Sequence, residues 1–523
     1  MRLRRSSTTS AVVRSDRKAR RFGLATVAAL LVTAVGARAE QNFPGLANLS
    51  QPQSTTPMTD WGPVPTDKAS IANLAPVLLP FFNNAPVFGL PGTVTGNFWD
   101  QTQVTGDWGG TRTELARRGL FIDLYSTSTY QDVTSGGLKT GTAFLQNTQL
   151  SVNVDTGRAG LWSGGLLHFT FQSRYGDSPE QTFTTGSFVP QYYGALLPGP
   201  LLFHDVLPSE YFLVQSLTPE VSVVLGKISC LYIPDQTLFG DSYKYYFANF
   251  NLNLNPITTN FYNPTALAAL GVWTPSKSLT VLGGVLDPYT QPTNLATHAF
   301  KNVDLYVAAV ASYQVLGLPG SFFPQFSWSS LPQIDRGNPF GALSPGSVQN
   351  AVGALLGVSP TAGLPVNQKD SSWFLIANWS QYLFVKDDPA TIEAKLKSGQ
   401  PLRGVGVFAR AGYAPPDVTT LTWDASVALF ARGLMDSRPY DSFGIGYYYN
   451  GVSNNLKDSI TRLTQGMSSA TDEQGIEVFY DFAITPAVRL NVSYQHIWNP
   501  LTAKVTLNQG DASVVLTRLN VAF

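Results

Sequence analysis

The stretch Ala512-Ser513-Val514-Val515-Leu516-Thr517-Arg518-Leu519-Asn520-Val521-Ala522-Phe523 decides how this chain is read. Val515, Leu519, Val521 and Phe523, with Thr517 among them, share one face at a period of two, while Arg518, Asn520 and Ala522 share the other. That is a strand with one greasy side. A soluble sheet would bury that side in a core. A barrel in a bilayer would turn it to lipid and point Arg518 and Asn520 into a polar lumen.

Further segments repeat the pattern, each about ten residues long, as a tilted membrane strand requires. Leu150, Val152 and Val154 alternate with Gln149, Ser151, Asn153 and Asp155. Leu167, Phe169 and Phe171 alternate with His168, Thr170, Gln172 and, two steps on, Arg174. Trp423, Ala425, Val427 and Leu429 alternate with Asp424, Ser426 and Ala428, with Arg432 beyond. Ile476, Val478, Tyr480 and Phe482 alternate with Glu477 and Asp481, and Val488, Leu490, Val492 and Tyr494 with Arg489, Asn491, Ser493 and Gln495.

Composition agrees with strands in a membrane. Of 523 residues only 13% are charged, 31 are Phe, 22 Tyr, 10 Trp and 46 Gly, and mean hydropathy is +0.01. The chain is too polar for a helical membrane protein and too apolar for disorder. After Val35 no apolar run reaches the roughly 18 residues of a spanning helix. The single cysteine, Cys230, excludes an intrachain disulfide and a cysteine-based zinc site, and reads as a small packed residue.

Residues 1–39 read as an export signal: arginines ending at Arg20 and Arg21, an apolar stretch from Phe22 to Val35, and the small-x-small site Ala37-Arg38-Ala39. They hold nine Lys/Arg and one Asp, which leaves 25 basic against 33 acidic residues and argues against nucleic acid as a partner. Residues 40–96 are rich in Pro, Ser, Thr and Asn and read as an arm. Within 97–119, Thr111 and Glu114 have capping-box spacing and Gly119 can close a helix, so a short helix is expected, either positioning the first strand or plugging one mouth. The remainder, 120–523, is the expected barrel.

Connection lengths give separate evidence, because outer-membrane barrels pair short periplasmic turns with longer external loops. Compact turns are read at Thr156 to Gly160, Thr218 to Glu220, Thr274 to Lys277, Leu434 to Tyr440 and Thr485 to Ala487. Longer segments lie at Tyr175 to Pro208, Leu231 to Pro264, Leu331 to Lys369 and Gly451 to Gln474. Alternating turn with loop predicts an all-β fold, a transmembrane antiparallel β-barrel of sixteen strands. Lys386 to Gln400 fits badly, being long and helix-like where a turn is due, and Ala414 to Thr420 is short where a loop is due.

Catalytic constellations are not found. His168, His204, His298 and His496 lack metal-ligand spacing, and neither a nucleophile elbow nor a phosphate-binding glycine loop is present. Glu477 and Asp481 stand about 13 Å apart along one strand face at the rise of an extended chain, and read as hydrated wall carboxylates. No enzyme activity, metal or cofactor is expected.

Gly106-Asp107-Trp108-Gly109-Gly110-Thr111-Arg112, followed by Leu115, Gly119 and an alternating strand, resembles the N-terminal signature of the OprB-type carbohydrate-selective porins. So do Phe408 to Tyr413, Gly446-Tyr447-Tyr448, Glu477 to Pro486 and the terminal Arg518 to Phe523. The resemblance spans about Asn97 to Phe523. It implies a sixteen-stranded channel for sugars in the outer membrane of a Gram-negative bacterium, surrounded by lipid and assembled as a homotrimer. Passage would be passive. A constriction for neutral, hydroxyl-rich solutes needs forked donors, carboxylate acceptors and aromatic faces. The pore-lining candidates, taken from polar faces, are Arg174, Arg410, Asp424, Arg432, Glu477, Asp481, Arg489 and Arg518. Alternatives are a general or anion-preferring porin, and a secreted soluble β-rich protein that binds or hydrolyses polysaccharide.

Overall fold

The computed structural model describes residues 94, 97–99, 101–177, 184–189, 191–192, 206–230, 246–260, 265–276, 278–290, 300–337, 368–397 and 402–523. The export signal at 1–39 and, apart from Val94, the arm at 40–96 lie outside them.

Among the described residues, sixteen antiparallel strands close into one barrel. In chain order they are β1 (Leu120–Gly136), β2 (Gly141–Asp155), β3 (Gly165–Gly176), β4 (Leu207–Ser216), β5 (Val221–Ser229), β6 (Thr265–Ser276), β7 (Leu279–Leu286), β8 (Asp304–Val315), β9 (Leu318–Ser329), β10 (Ser372–Val385), β11 (Gly404–Tyr413), β12 (Leu421–Arg432), β13 (Ser442–Val452), β14 (Glu473–Thr485), β15 (Val488–Trp498) and β16 (Asp511–Ala522). Each pairs with its neighbours in sequence, and β1 pairs with β16 to close the ring. A closed ring leaves no strand edge unpaired, which a bilayer demands.

Burial runs opposite to that of a soluble protein. On β15, Val492 and Tyr494 are 45% and 47% exposed, while Arg489, Asn491, Ser493 and Gln495 are at most 1% exposed. The same reversal holds on β12 for Trp423, Val427 and Leu429 against Asp424 and Arg432. A soluble protein would leave this continuous apolar belt in water; in a bilayer the belt faces its natural solvent. The secreted soluble alternative is thereby excluded.

Part of the inner wall departs from the polar lumen expected from the alternating strands. On β4 to β8 its buried inward residues include Val214, Val224, Leu270, Leu282 and Ala308, one apolar cluster shared with Phe212 and Cys230. β6 and β7 are apolar on both faces over most of their length, so a period-two reading has little contrast to detect there.

Among the described residues five α-helices lie outside the barrel wall: α1 (Thr111–Arg117) before β1, and α2 (Phe250–Asn253), α3 (Pro389–Lys397), α4 (Asn454–Leu463) and α5 (Leu501–Leu507) between strands. The ill-fitting segment after Lys386 contains α3, a helix inserted into a turn of otherwise correct parity. For α1 the expected capping box does not form. Its N-cap is Gly110, without a side-chain cap. Asp107 does that work instead, its Oδ1 accepting from the Thr113 N–H at 2.8 Å and from Thr113 Oγ1 at 2.7 Å.

The helix lies against the seam between first and last strands. Arg112 donates through Nη2 to the main-chain oxygen of Phe523 at 2.7 Å and through Nη1 to Gly106 O at 3.0 Å, with its guanidinium 4.3 Å from the centre of the Trp108 ring. Burial lowers its pKa, an effect opposed by the nearby Asp123 carboxylate. Val104 N–H bonds Ala522 O, and Phe523 N–H bonds Leu124 O, both at 2.8 Å. The signature block therefore ties the chain's two barrel ends together.

Candidate functional site

Strand pairing stacks inward side chains into rungs around the wall. One rung runs Arg432, Ser442, Asp481, Asn491, Arg518 across β12 to β16. Another runs Phe408, Ala428, Gly446, Glu477, Gln495 across β11 to β15. All eight sequence-derived candidates, Arg174, Arg410, Asp424, Arg432, Glu477, Asp481, Arg489 and Arg518, lie on this inward face, and none is more than 4% exposed.

Arg410, Asp424, Glu477 and Arg518 are buried under part of the loop between β5 and β6, which folds inward onto them. In it, Asn249, Asn251, Asn253 and Asn255 alternate with Phe250, Leu252 and Leu254. Asn249 caps α2 by accepting the Asn251 N–H at 2.9 Å. Fixing such a helical turn inside a barrel requires partners for its main chain. Glu477 accepts from the N–H groups of Ala248 at 2.7 Å and Asn249 at 2.8 Å. Arg410 donates to Leu252 O at 2.8 Å. Tyr246 O accepts from Arg518 and from Asn491 Nδ2, and Asn249 Nδ2 reaches Gln495 Oε1 at 2.9 Å. Apolar contacts complete the seat: the Tyr246 ring lies 4.6 Å from Phe430, and Phe247 lies 4.8 Å from Phe479, edge to face.

Arg410, Glu477 and Arg518 are thus brought together as anchors of one segment. Asp481 and Arg489 form a separate buried ion pair, with Arg489 Nη2 also donating to Tyr440 O at 2.8 Å. Asp424 accepts from the main chain of Ile257 and faces Arg410, while Arg432 lies within electrostatic reach of Asp481. Arg174 stands apart on β3 near Tyr192, whose phenol burial pushes up in pKa, against Thr129, Arg518 and Arg174. The hydrated carboxylates expected at Glu477 and Asp481 are therefore replaced by buried ones, because inward chain and a paired arginine take the place of water.

Two features escaped the sequence reading. The inward segment falls within the long stretch Leu231 to Pro264, where asparagine at every second position is the signal for buried main-chain and side-chain bonding. Glu473, fully buried at the outer end of β14, was also missed. It accepts from Ser187 Oγ at 2.5 Å, Phe188 N–H at 2.8 Å and Leu501 N–H at 2.9 Å, so one carboxylate holds the loop between β3 and β4 and the start of α5. Above it Ile257, Leu456, Ile460, Leu501 and Val505 form an apolar core among the outer loops. Among the described residues no group of three or more His, Cys, Asp or Glu is placed to hold a metal ion.

Residues 139–523 match the family model described as carbohydrate-selective porin, OprB family. Among solved structures, the chain is similar to the high-pH structure of Pseudomonas putida OprB at 17% identity and a TM-score of 0.65, covering 82% of this chain and all of that one. The low-pH structure of the same Pseudomonas putida protein matches at 15% identity and a TM-score of 0.47, covering 81% and 99%. No curated protein matches.

Proposed function

From the premise that this chain belongs to the OprB family of carbohydrate-selective porins, we propose that the inward segment 246–258, with Arg410, Glu477 and Arg518 behind it, frames the narrowest part of its sugar path. The protein is a carbohydrate-selective outer-membrane channel. The observation that carries the proposal is the anchoring of that segment by a carboxylate and two arginines on the inner wall. Held so, the segment keeps a fixed shape, and a fixed narrow place is what sorts solutes by size.

Passage involves no chemical step. A sugar crossing such a wall exchanges hydrogen bonds with water for many weak ones to amides, hydroxyls and charged forks. None can be strong, since a tightly held solute would not leave. Lipid surrounds the outer belt, and the homotrimer implied by the family resemblance belongs to the same proposal. Light scattering of the detergent complex tests it, and a monomer mass would remove the trimer.

The test of the path is liposome swelling with sugars of graded size, run beside reversal potentials under a salt gradient. Sugars should permeate with a sharp size limit, and Glu477→Ala should blur that limit by freeing the Ala248 and Asn249 amides. Strong ion selectivity with no sugar discrimination would replace this reading with a general porin.

A further inference from the structure

Glycine inside a strand weakens it, and such a residue marks either a strained backbone or the close approach of something else. Gly412 near the end of β11 and Gly444 and Gly446 on β13 lie within paired strand, on the inward face, and their backbones have no left-handed φ. Conformation therefore does not require glycine at these positions. Space does. A Cβ on Gly446 would stand 2.8 Å from both Cδ atoms of Leu252. One on Gly444 would stand 2.9 Å from Phe247 Cζ and 2.7 Å from a Phe479 ring atom. One on Gly412 would stand 2.6 Å from Asn255 Oδ1.

Three residues of the inward segment thus each lie over a missing side chain. Ala428, paired with Gly446 in the same rung, keeps the floor low between them, and its own Cβ is 3.1 Å from the site a Gly446 Cβ would take. We propose that Gly412, Gly444 and Gly446 form a trough whose depth sets how far the inward segment stands off the wall, and so sets the calibre of the channel. They are positioning residues: they carry no polar group and act only through Leu252, Phe247 and Asn255. The inference rests on the reading that this segment narrows the path.

A graded series tests it: Gly446→Ala, Gly446→Val and Gly446→Leu, refolded and reconstituted in planar bilayers and liposomes. Conductance should fall stepwise with side-chain volume, to half or less in the leucine variant, and the largest permeating sugar should shrink in step. Reversal potential should stay unchanged, because no charge has been altered. Adding Leu252→Ala to Gly446→Leu should restore conductance to near the native level, which a merely damaged barrel would not do. Native conductance in Gly446→Leu, or no recovery in the double variant, overturns the trough. If Gly446→Leu does not insert, the pair Gly444→Ala and Gly446→Ala carries the test, and unchanged conductance there overturns it equally. The underlying reading fails differently: the native protein itself would then show no sugar size limit.

Discussion

Arg112 and Phe523, 411 residues apart, meet through a 2.7 Å hydrogen bond at the foot of the barrel seam. One guanidinium thereby serves Gly106 and Phe523, and lies within 3.4 Å of Ile122 O on β1. Hydrogen bonds to a charged group contribute roughly 1.5–3 kcal/mol each. Arg112→Ala should therefore lower the unfolding temperature in detergent and speed amide exchange at Phe523 and Val104, while exchange on β12 and β13 stays native. Uniform acceleration around the barrel would show that the contact does not act on the seam.

Charge reversal at Arg489 should damage stability before it alters permeation. The residue is fully buried against Asp481, and breaking a buried pair by removing one partner costs about 3–5 kcal/mol. Arg489→Glu should cut insertion yield sharply, and the exchanged pair Asp481→Arg with Arg489→Glu should recover most of it. Normal yield from the single variant would mean the pair is open to water.

The two faces of β15 fail by different mechanisms. Val492→Arg puts a charge into lipid, at a cost of about 2–4 kcal/mol near the midplane, and should block insertion. Asn491→Arg would look harmless if its face were simply wet, yet Asn491 bonds Tyr246 O and Arg518, so a second cation there should be poorly tolerated. Asn491→Ala should insert and release the segment near Tyr246, seen as noisier single-channel current. Quiet native current from Asn491→Ala would deny the residue its anchoring part.

On the periplasmic side, Asp436 holds Lys386 Nζ at 2.7 Å and Arg403 Nη2 at 3.0 Å, and these hydrogen bonds and charges depress its pKa. A depressed carboxylate adds stability above its unfolded pKa and loses it as pH falls through the folded one. Asp436→Asn should thus be slightly less stable than native at pH 7 and equal to it at pH 2. The side chain is largely exposed, so the gap should be small and should close in high salt. A gap that persists at pH 2 would assign the effect to something other than this charge.

The barrel was legible wherever the two faces of a strand differ in chemistry, as on β12, β14, β15 and β16. Strand count, parity and closure followed from those strands and from turn lengths, while the pairing register comes from the structure. Apolar β6 and β7 carried no such contrast, and were placed by the turns around them. The inward direction of Arg410 and Glu477 could be read from alternation, but what lies over them could not. Their partners, Leu252 and Ala248, come from a loop more than 150 residues away, and local patterns do not encode distant docking. Gly444 and Gly446 show the same limit: in sequence they are only two small residues around Ile445, and their meaning appears once Phe247 and Leu252 lie over them.

The outward apolar belt also decides what the protein's own light emission reports. Among the described residues six tryptophans lie in strands, and all stand on the outer face: Trp273, Trp373, Trp379, Trp423 and Trp498 are exposed, and Trp328 pairs with the exposed Leu305 and Trp373. Their fluorescence should be quenched by brominated acyl chains and shielded from aqueous iodide, and a sugar in transit should leave it unmoved. The strand tryptophans then gauge how the barrel sits in its bilayer, while Trp99, Trp108 and Trp162, exposed outside the strands, supply the part of the emission that iodide reaches.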